Sequence, residues 1–195
     1  MQAIDPSTAP TPSARERIVL TAQDLFYREG IRATGIDRVI AESGVTKVTF
    51  YRHFPSKNHL IREFLEYRHQ RWMAWFTDAL ARHGGDIDAL VPALAEWFRD
   101  KSFRGCAFIN SVGELGGSLP EVVAISWRHK QDVADVIASL LPPSQDREHD
   151  AQALAVAVDG AIVRAQFDQS PDAALLALER LLKALLATQS NTPLF

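Results

Sequence analysis

"IAESGVTKVTFYRHFPSK", Ile40 to Lys57, decides how the whole chain is read. Ile36, Val39 and Ile40 form the apolar face of a short helix that Gly44 breaks. Thr46 can cap a second short helix through about Tyr51, and Pro55 ends it. Two short helices joined by Glu42–Val45, with a glycine in the turn, fit a helix-turn-helix. In that motif the second helix enters the major groove and its first residues reach base edges. The sequence puts Thr46, Lys47, Val48 and Thr49 there. Lysine can donate to guanine acceptors, and threonine offers a hydroxyl and a methyl that suits thymine. Tyr51 and His53 follow, where a hydroxyl and an imidazole can donate to phosphate oxygens. Lys57 falls in the first turn of the next helix, where its ammonium can join free backbone N–H groups around one phosphate. Thr34, just before the first short helix, is a further backbone-contact candidate. Phe50 and Phe54 read as core of a helical bundle.

Working outward, Ser13 and Glu16 have capping-box spacing, and Ile18, Val19, Ala22, Leu25 and Phe26 share one helical face before Gly30. Residues 1–12, with three prolines, read as a disordered tail. Ser56 caps a long helix that runs without glycine or proline to His83. Asp86 opens a helix to about Asp100, Ala107 one to Leu115, and Pro120 one to about Leu141. Two more cover residues 150–167 and 171–188. No stretch alternates with period two between hairpin turns. The expected fold is all-α, with about nine helices: a helix-turn-helix domain over 13–58 and a second helical domain over 59–195.

Net charge is -3, but 8 basic and 6 acidic residues fall within 1–58, while 13 and 18 fall within 59–195. Local rather than total charge governs DNA binding, so a nucleic-acid partner for the N-terminal part is compatible with an acidic protein. A single cysteine, Cys106, excludes an intramolecular disulfide and a cysteine-rich zinc site. No signal peptide is visible, and the longest apolar run, Ala153–Ala165, is interrupted by Asp159 and Arg164. A cytoplasmic protein with no membrane span, metal or cofactor is expected. No Gly-rich phosphate loop, HExxH or GxSxG is present, so catalysis is not expected.

The stretch "GIRATGIDRVIAESGVTKVTFYRHFPSKNHL" resembles the DNA-binding domain of the tetracycline-repressor (TetR) family of bacterial transcription regulators. The carrying features are the glycine after the first helix, Thr34, and the tyrosine followed by "HFPSK". The strong match covers about residues 13–62. By motif position the resemblance implies DNA contacts at Lys47, Thr49, Tyr51, His53 and Lys57, with Thr34 on the backbone. Gly35 departs from the pattern, since many members carry a second Thr or Ser there. Val48 departs too, at a position where small or polar residues are frequent.

The same resemblance implies a C-terminal ligand-binding and dimerisation domain, and a repressor that a small organic effector releases from a palindromic operator. Leucines 175, 176, 178, 181, 182, 185 and 186 exceed the single stripe of a surface helix. Small residues Ala153, Ala157, Gly160 and Ala161 allow close packing in the preceding helix. Helices 150–167 and 171–188 therefore read either as half of a four-helix homodimer interface or as intramolecular core. Trp72, Trp75, Phe98, Phe108, Asn110 and Trp127 are the candidate pocket lining, read against plain core packing. Cys106 precedes a helix start beside Arg104, which suits a thiol sensor or simply a small buried residue. The alternative function is a helical small-molecule-binding or thiol-sensing protein without DNA-binding activity.

Overall fold

The computed structural model describes residues 12–168 and 170–190, and within them all regular structure is helical. Nine α-helices follow one another among the described residues: α1 (Ala14–Glu29), α2 (Ile36–Ser43), α3 (Lys47–His53), α4 (Lys57–Arg82), α5 (Leu90–Arg99), α6 (Ala107–Leu115), α7 (Pro120–Leu140), α8 (Arg147–Phe167) and α9 (Asp172–Ser190). The expected tail lies, apart from Pro12, outside the described residues.

Local chemistry sets most boundaries. The Glu16 amide donates to Ser13 Oγ at 3.3 Å, and the Ser13 amide donates to the Glu16 carboxylate at 2.7 Å. This reciprocal cap starts α1 at the expected residue, and losing such a cap costs about 1 kcal/mol. Gly44 closes α2 in the left-handed region at φ 64°, a conformation that disfavours any residue with a Cβ. Pro120 occupies the first turn of α7, where a missing N–H is harmless.

Two boundaries differ from expectation. The helix expected from Asp86 begins instead as a 3-10 turn over Ile87–Ala89, and α5 starts at Leu90. Asp86 caps that turn by accepting from the Asp88 amide at 3.1 Å. Helix α8 begins at Arg147 rather than at residue 150, because Glu148 and Asp150 favour the positive end of a helix dipole.

The chain divides into two compact units, Met1–Phe64 and Leu65–Phe195. The first reaches past residue 58 because the opening turns of α4 belong to its core. Leu60, Ile61 and Phe64 are buried, and the Phe64 ring meets Phe26 edge-on at 5.4 Å. Helix α1 packs on α2 and α3. Arg17 Nε donates to the Ser43 carbonyl at 3.2 Å, satisfying a carbonyl at the end of α2. Lys57 Nζ donates to the Ile31 carbonyl at 2.6 Å and lies 5.9 Å from the Phe26 ring centre. That bond ties the start of α4 to the turn between α1 and α2.

In the second unit α7 packs on α6 and α8, while α9 packs on α8 and α5. The expected leucine-rich helix splits its leucines by face. Leu175, Leu178 and Leu182 are buried, whereas Leu176 and Leu181 are exposed. His129 is 2% exposed and stacks on Phe108 with ring centres 3.7 Å apart. Its Nδ1 lies 3.2 Å from His69 Nδ1. Burial, helped by nearby cationic groups led by Lys130, pushes its pKa down from 6.5 to about 2.

Two consequences can be measured. Lys57→Met should lower stability by about 1 kcal/mol in urea denaturation, the size expected for a charge-assisted bond at a partly exposed site. An unchanged midpoint would show that the ammonium does not hold the turn. For His129, the unfolded chain takes the proton near 6.5 and the folded chain only near 2. Stability is therefore full above the first value and declines as pH falls toward the second. His129→Phe should flatten the pH dependence between about pH 7 and about pH 5 by up to about one proton. An unchanged slope would assign that dependence to other groups.

Candidate nucleic-acid interface and ligand cavity

Helix α3 has only seven residues, and its two sides are sharply different. Phe50 is fully buried, and Phe54, just past the helix end, is 3% exposed. Their rings lie 6.1 Å apart and anchor the helix to the core, as expected. Thr46, Lys47, Val48, Tyr51, Arg52 and His53 around this anchor are all exposed. Val48 is 71% exposed, a high value for an aliphatic side chain. Thr46 caps the helix by accepting from the Thr49 amide at 3.1 Å, and the two hydroxyls lie 2.9 Å apart. Lys47 Nζ stands 3.6 Å from Asp37 Oδ1, with both side chains mostly in solvent. So loose a pair is easily exchanged for another anion.

Two expected contacts take different places. Thr34 is fully buried, and its hydroxyl donates to the Gly30 carbonyl at 2.8 Å. Its side chain locks the turn after α1 and is not offered to a phosphate. The Lys57 side chain is half-buried on the Ile31 carbonyl, so its first role is also internal. Gly35 precedes α2 with no side-chain cap on the helix, which is the local effect of lacking Thr or Ser there.

The second unit contains a cleft of about 320 Å³, counting the part open to solvent. Its enclosed part has room for about one water molecule. Trp72 and Phe108 line it, with Trp97 and His129 beside them. Trp72 meets Trp97 edge-on at 5.3 Å and His129 at 5.2 Å.

The remaining expected lining residues lie elsewhere. Trp127 is 67% exposed on α7, because it falls on the face of that helix opposite the buried stripe of Val122, Ser126, His129 and Val133. Trp75 sits behind Trp72 and Trp97, at 6.0 and 6.3 Å. Phe98 packs on Phe103 at 5.2 Å. Asn110 Nδ2 donates to the Arg104 carbonyl at 3.0 Å and so holds the loop before α6.

The cleft also contains charge that sequence reasoning did not place there. Lys130 from α7 is hydrogen-bonded to Asp159 from α8, and Cys106 lines the same space. Burial works against the Lys130 charge, but the adjacent Cys106 and Asp159 groups outweigh it and hold its pKa above the ordinary lysine value. One signal was available: Asp159 interrupts an otherwise apolar helix, and a lone charge on such a face needs a partner. Among the described residues, no group of three or more His, Cys, Asp or Glu could hold a metal ion. No helix among them is long and apolar enough to cross a membrane.

Comparison with known proteins agrees with this geometry. The family model described as "Bacterial regulatory proteins, tetR family" matches residues 18–64. The HTH-type transcriptional regulator YerO of Bacillus subtilis is 42% identical over 53 residues, which are 27% of this chain and 18% of YerO. The HTH-type transcriptional regulator Rv0196 of Mycobacterium tuberculosis is 29% identical over 167 residues, 78% of this chain and 84% of its own. Among solved structures, the TetR-family transcriptional regulator SCO4454 of Streptomyces coelicolor superposes with a TM-score of 0.79 at 29% identity, covering 90% of this chain and 95% of that one. The buried anchor of α3, the exposed residues around it and these matches together place the chain in the tetR family of bacterial regulatory proteins, as a transcriptional regulator with a DNA-binding helix-turn-helix.

Proposed function

We propose that this regulator is a repressor that binds a palindromic operator as a homodimer and leaves it when a small organic effector enters the cleft of the second unit. The observation that carries the DNA half is the exposed row on α3. A short helix anchored by two buried aromatics has no structural need for an exposed Lys47 and Val48. Lys47 and Val48 face base edges, the one for guanine acceptors and the other for a thymine methyl. Tyr51 and His53 reach phosphates, and Thr46 and Thr49 divide their hydroxyls between the cap and the DNA. Lys57 holds the start of α4 in place and has ammonium protons to share with a phosphate.

The dimer reading is supported by apolar side chains left in solvent on the last two helices. Val156 and Phe167 on α8 are 72% and 75% exposed, and Leu176 and Leu181 on α9 are 57% and 55% exposed. Such residues suit an isologous interface with a second copy. A dimer presents two copies of α3 to half-sites about one helical turn apart. Helix α4 runs without interruption from Lys57 to Arg82. An effector releases DNA only by binding more tightly to the arrangement that does not fit the operator. A cytoplasmic location follows from this reading, since the operator is there.

The decisive test is selection of bound fragments from the source genome, followed by affinity measurement across salt. A palindromic motif bound with a steep salt dependence is expected, and binding without either would overturn the proposal. Within that assay, Lys47→Ala should change the preferred bases, and an unaltered motif would remove Lys47 from base reading. Asp37→Asn should tighten binding by about two- to fivefold, because it frees Lys47 and removes a carboxylate facing DNA. Weaker binding would mean that Asp37 positions Lys47 rather than competing for it.

A further inference from the structure

The lining of the cleft is rich in flat rings and in hydrogen-bond donors, and poor in acceptors. Trp72, Trp97, Phe108 and His129 supply the rings. His129 stacks on Phe108 with ring centres 3.7 Å apart, and Trp72 stands edge-on to Trp97 at 5.3 Å. Trp72 is 8% exposed, and its Nε1 has no hydrogen-bond partner. A buried indole N–H without an acceptor is costly, and it marks where an acceptor belongs. Arg68 lies one helical turn before Trp72 on α4, so the two share a face, and both line the cleft. Two cationic side chains, Arg68 and Lys130, meet one carboxylate there, Asp159. That carboxylate is already hydrogen-bonded to Lys130. The ionisable groups of the lining therefore sum to a positive charge. His129 feels it, since Lys130, Arg68 and Arg128 all act against a proton on its ring.

We infer that the cleft is built for a planar aromatic carboxylate, whose anionic head takes the Trp72 N–H and the Arg68 guanidinium while its ring lies among Trp97, Phe108 and His129. This names the chemical class of the effector and rests on the effector reading proposed above. Each part of such a molecule meets a matching group. A carboxylate accepts from an indole N–H and a guanidinium at once, and hydrogen bonds between ionised partners are the strong ones. The enclosed space admits about one water-sized group, so one carboxylate oxygen goes in and the ring stays in the open part. Ring faces alone also attract cations, but Arg68 and Lys130 in the same lining repel them. Asp159 offers no counter-ion to a cationic guest, because Lys130 holds it. A neutral amide keeps an acceptor oxygen for Trp72 but has no charge to answer Arg68.

The test uses the full chain and three flat one-ring probes that differ in charge: benzoate, benzamide and benzamidinium. Calorimetric titration should rank benzoate about tenfold or more tighter than benzamide, with benzamidinium weakest. In nitrogen-15 spectra the Trp72 indole N–H signal, identified by its loss in Trp72→Phe, should move downfield with benzoate. Arg68→Met should weaken benzoate by about tenfold and leave benzamide within about twofold. Trp72→Phe should weaken both by about fivefold or more, since both bring an acceptor oxygen. Circular dichroism checks that each variant stays folded, and the ranking of the three probes needs no variant. Equal affinity for all three, tighter binding of benzamidinium, binding of none, or benzoate binding unchanged in both variants would overturn the carboxylate site. Benzoate should also lower affinity for the selected DNA. Benzoate bound at Trp72 with DNA affinity unchanged would keep the site and overturn its role as effector site. Release of DNA by benzamide or benzamidinium but not by benzoate would keep the sensor reading and overturn the carboxylate assignment.

Discussion

A helix of seven residues has almost no stability of its own in water, because nucleation costs more than so few hydrogen bonds return. Helix α3 exists because Phe50 and Phe54 are buried beneath it. This one hydrophobic attachment fixes where the helix lies in its unit and which side it turns to solvent. Everything proposed for DNA recognition follows from that rotation. The Thr46 cap, the Gly44 turn and the Thr34 hydroxyl on Gly30 tighten the geometry around it. None of them could hold α3 against solvent if the two phenylalanines were lost.

The second unit rests on a different constraint. Its aromatic core includes polar groups that burial penalises: a neutral His129, a Lys130–Asp159 pair and an indole N–H without an acceptor. Stability alone does not ask for this arrangement, since an apolar core of similar volume would serve as well. The effector-binding role proposed above does ask for it. The pair joins α7 to α8, and the cysteine joins the loop before α6 to the same point. A molecule entering there would disturb three elements together.

Much of this was legible along the chain. Capping residues, glycine turns and apolar spacing gave the helix order, and the resemblance around Ile40–Lys57 pointed to DNA. The expectations that changed share one cause: they concerned where a side chain points after helices pack. Thr34 looked available because it is polar and next to a turn, yet its hydroxyl is consumed by a carbonyl four residues back. Trp127 looked like pocket because it is aromatic and near others in sequence, yet its position on α7 faces away from the buried stripe. Lys130 and Asp159 lie on separate helices, and no local pattern pairs them.

By itself, the sequence determined the elements and the identity of the reading helix, because caps, breaks and helical periodicity act over a few residues. Only the tertiary structure decided which polar groups are spent inside the fold and which remain for a partner. That outcome depends on burial and on hydrogen bonds between residues far apart in the chain, such as Lys57 with Ile31 or Lys130 with Asp159, and these exist only once the helices are packed.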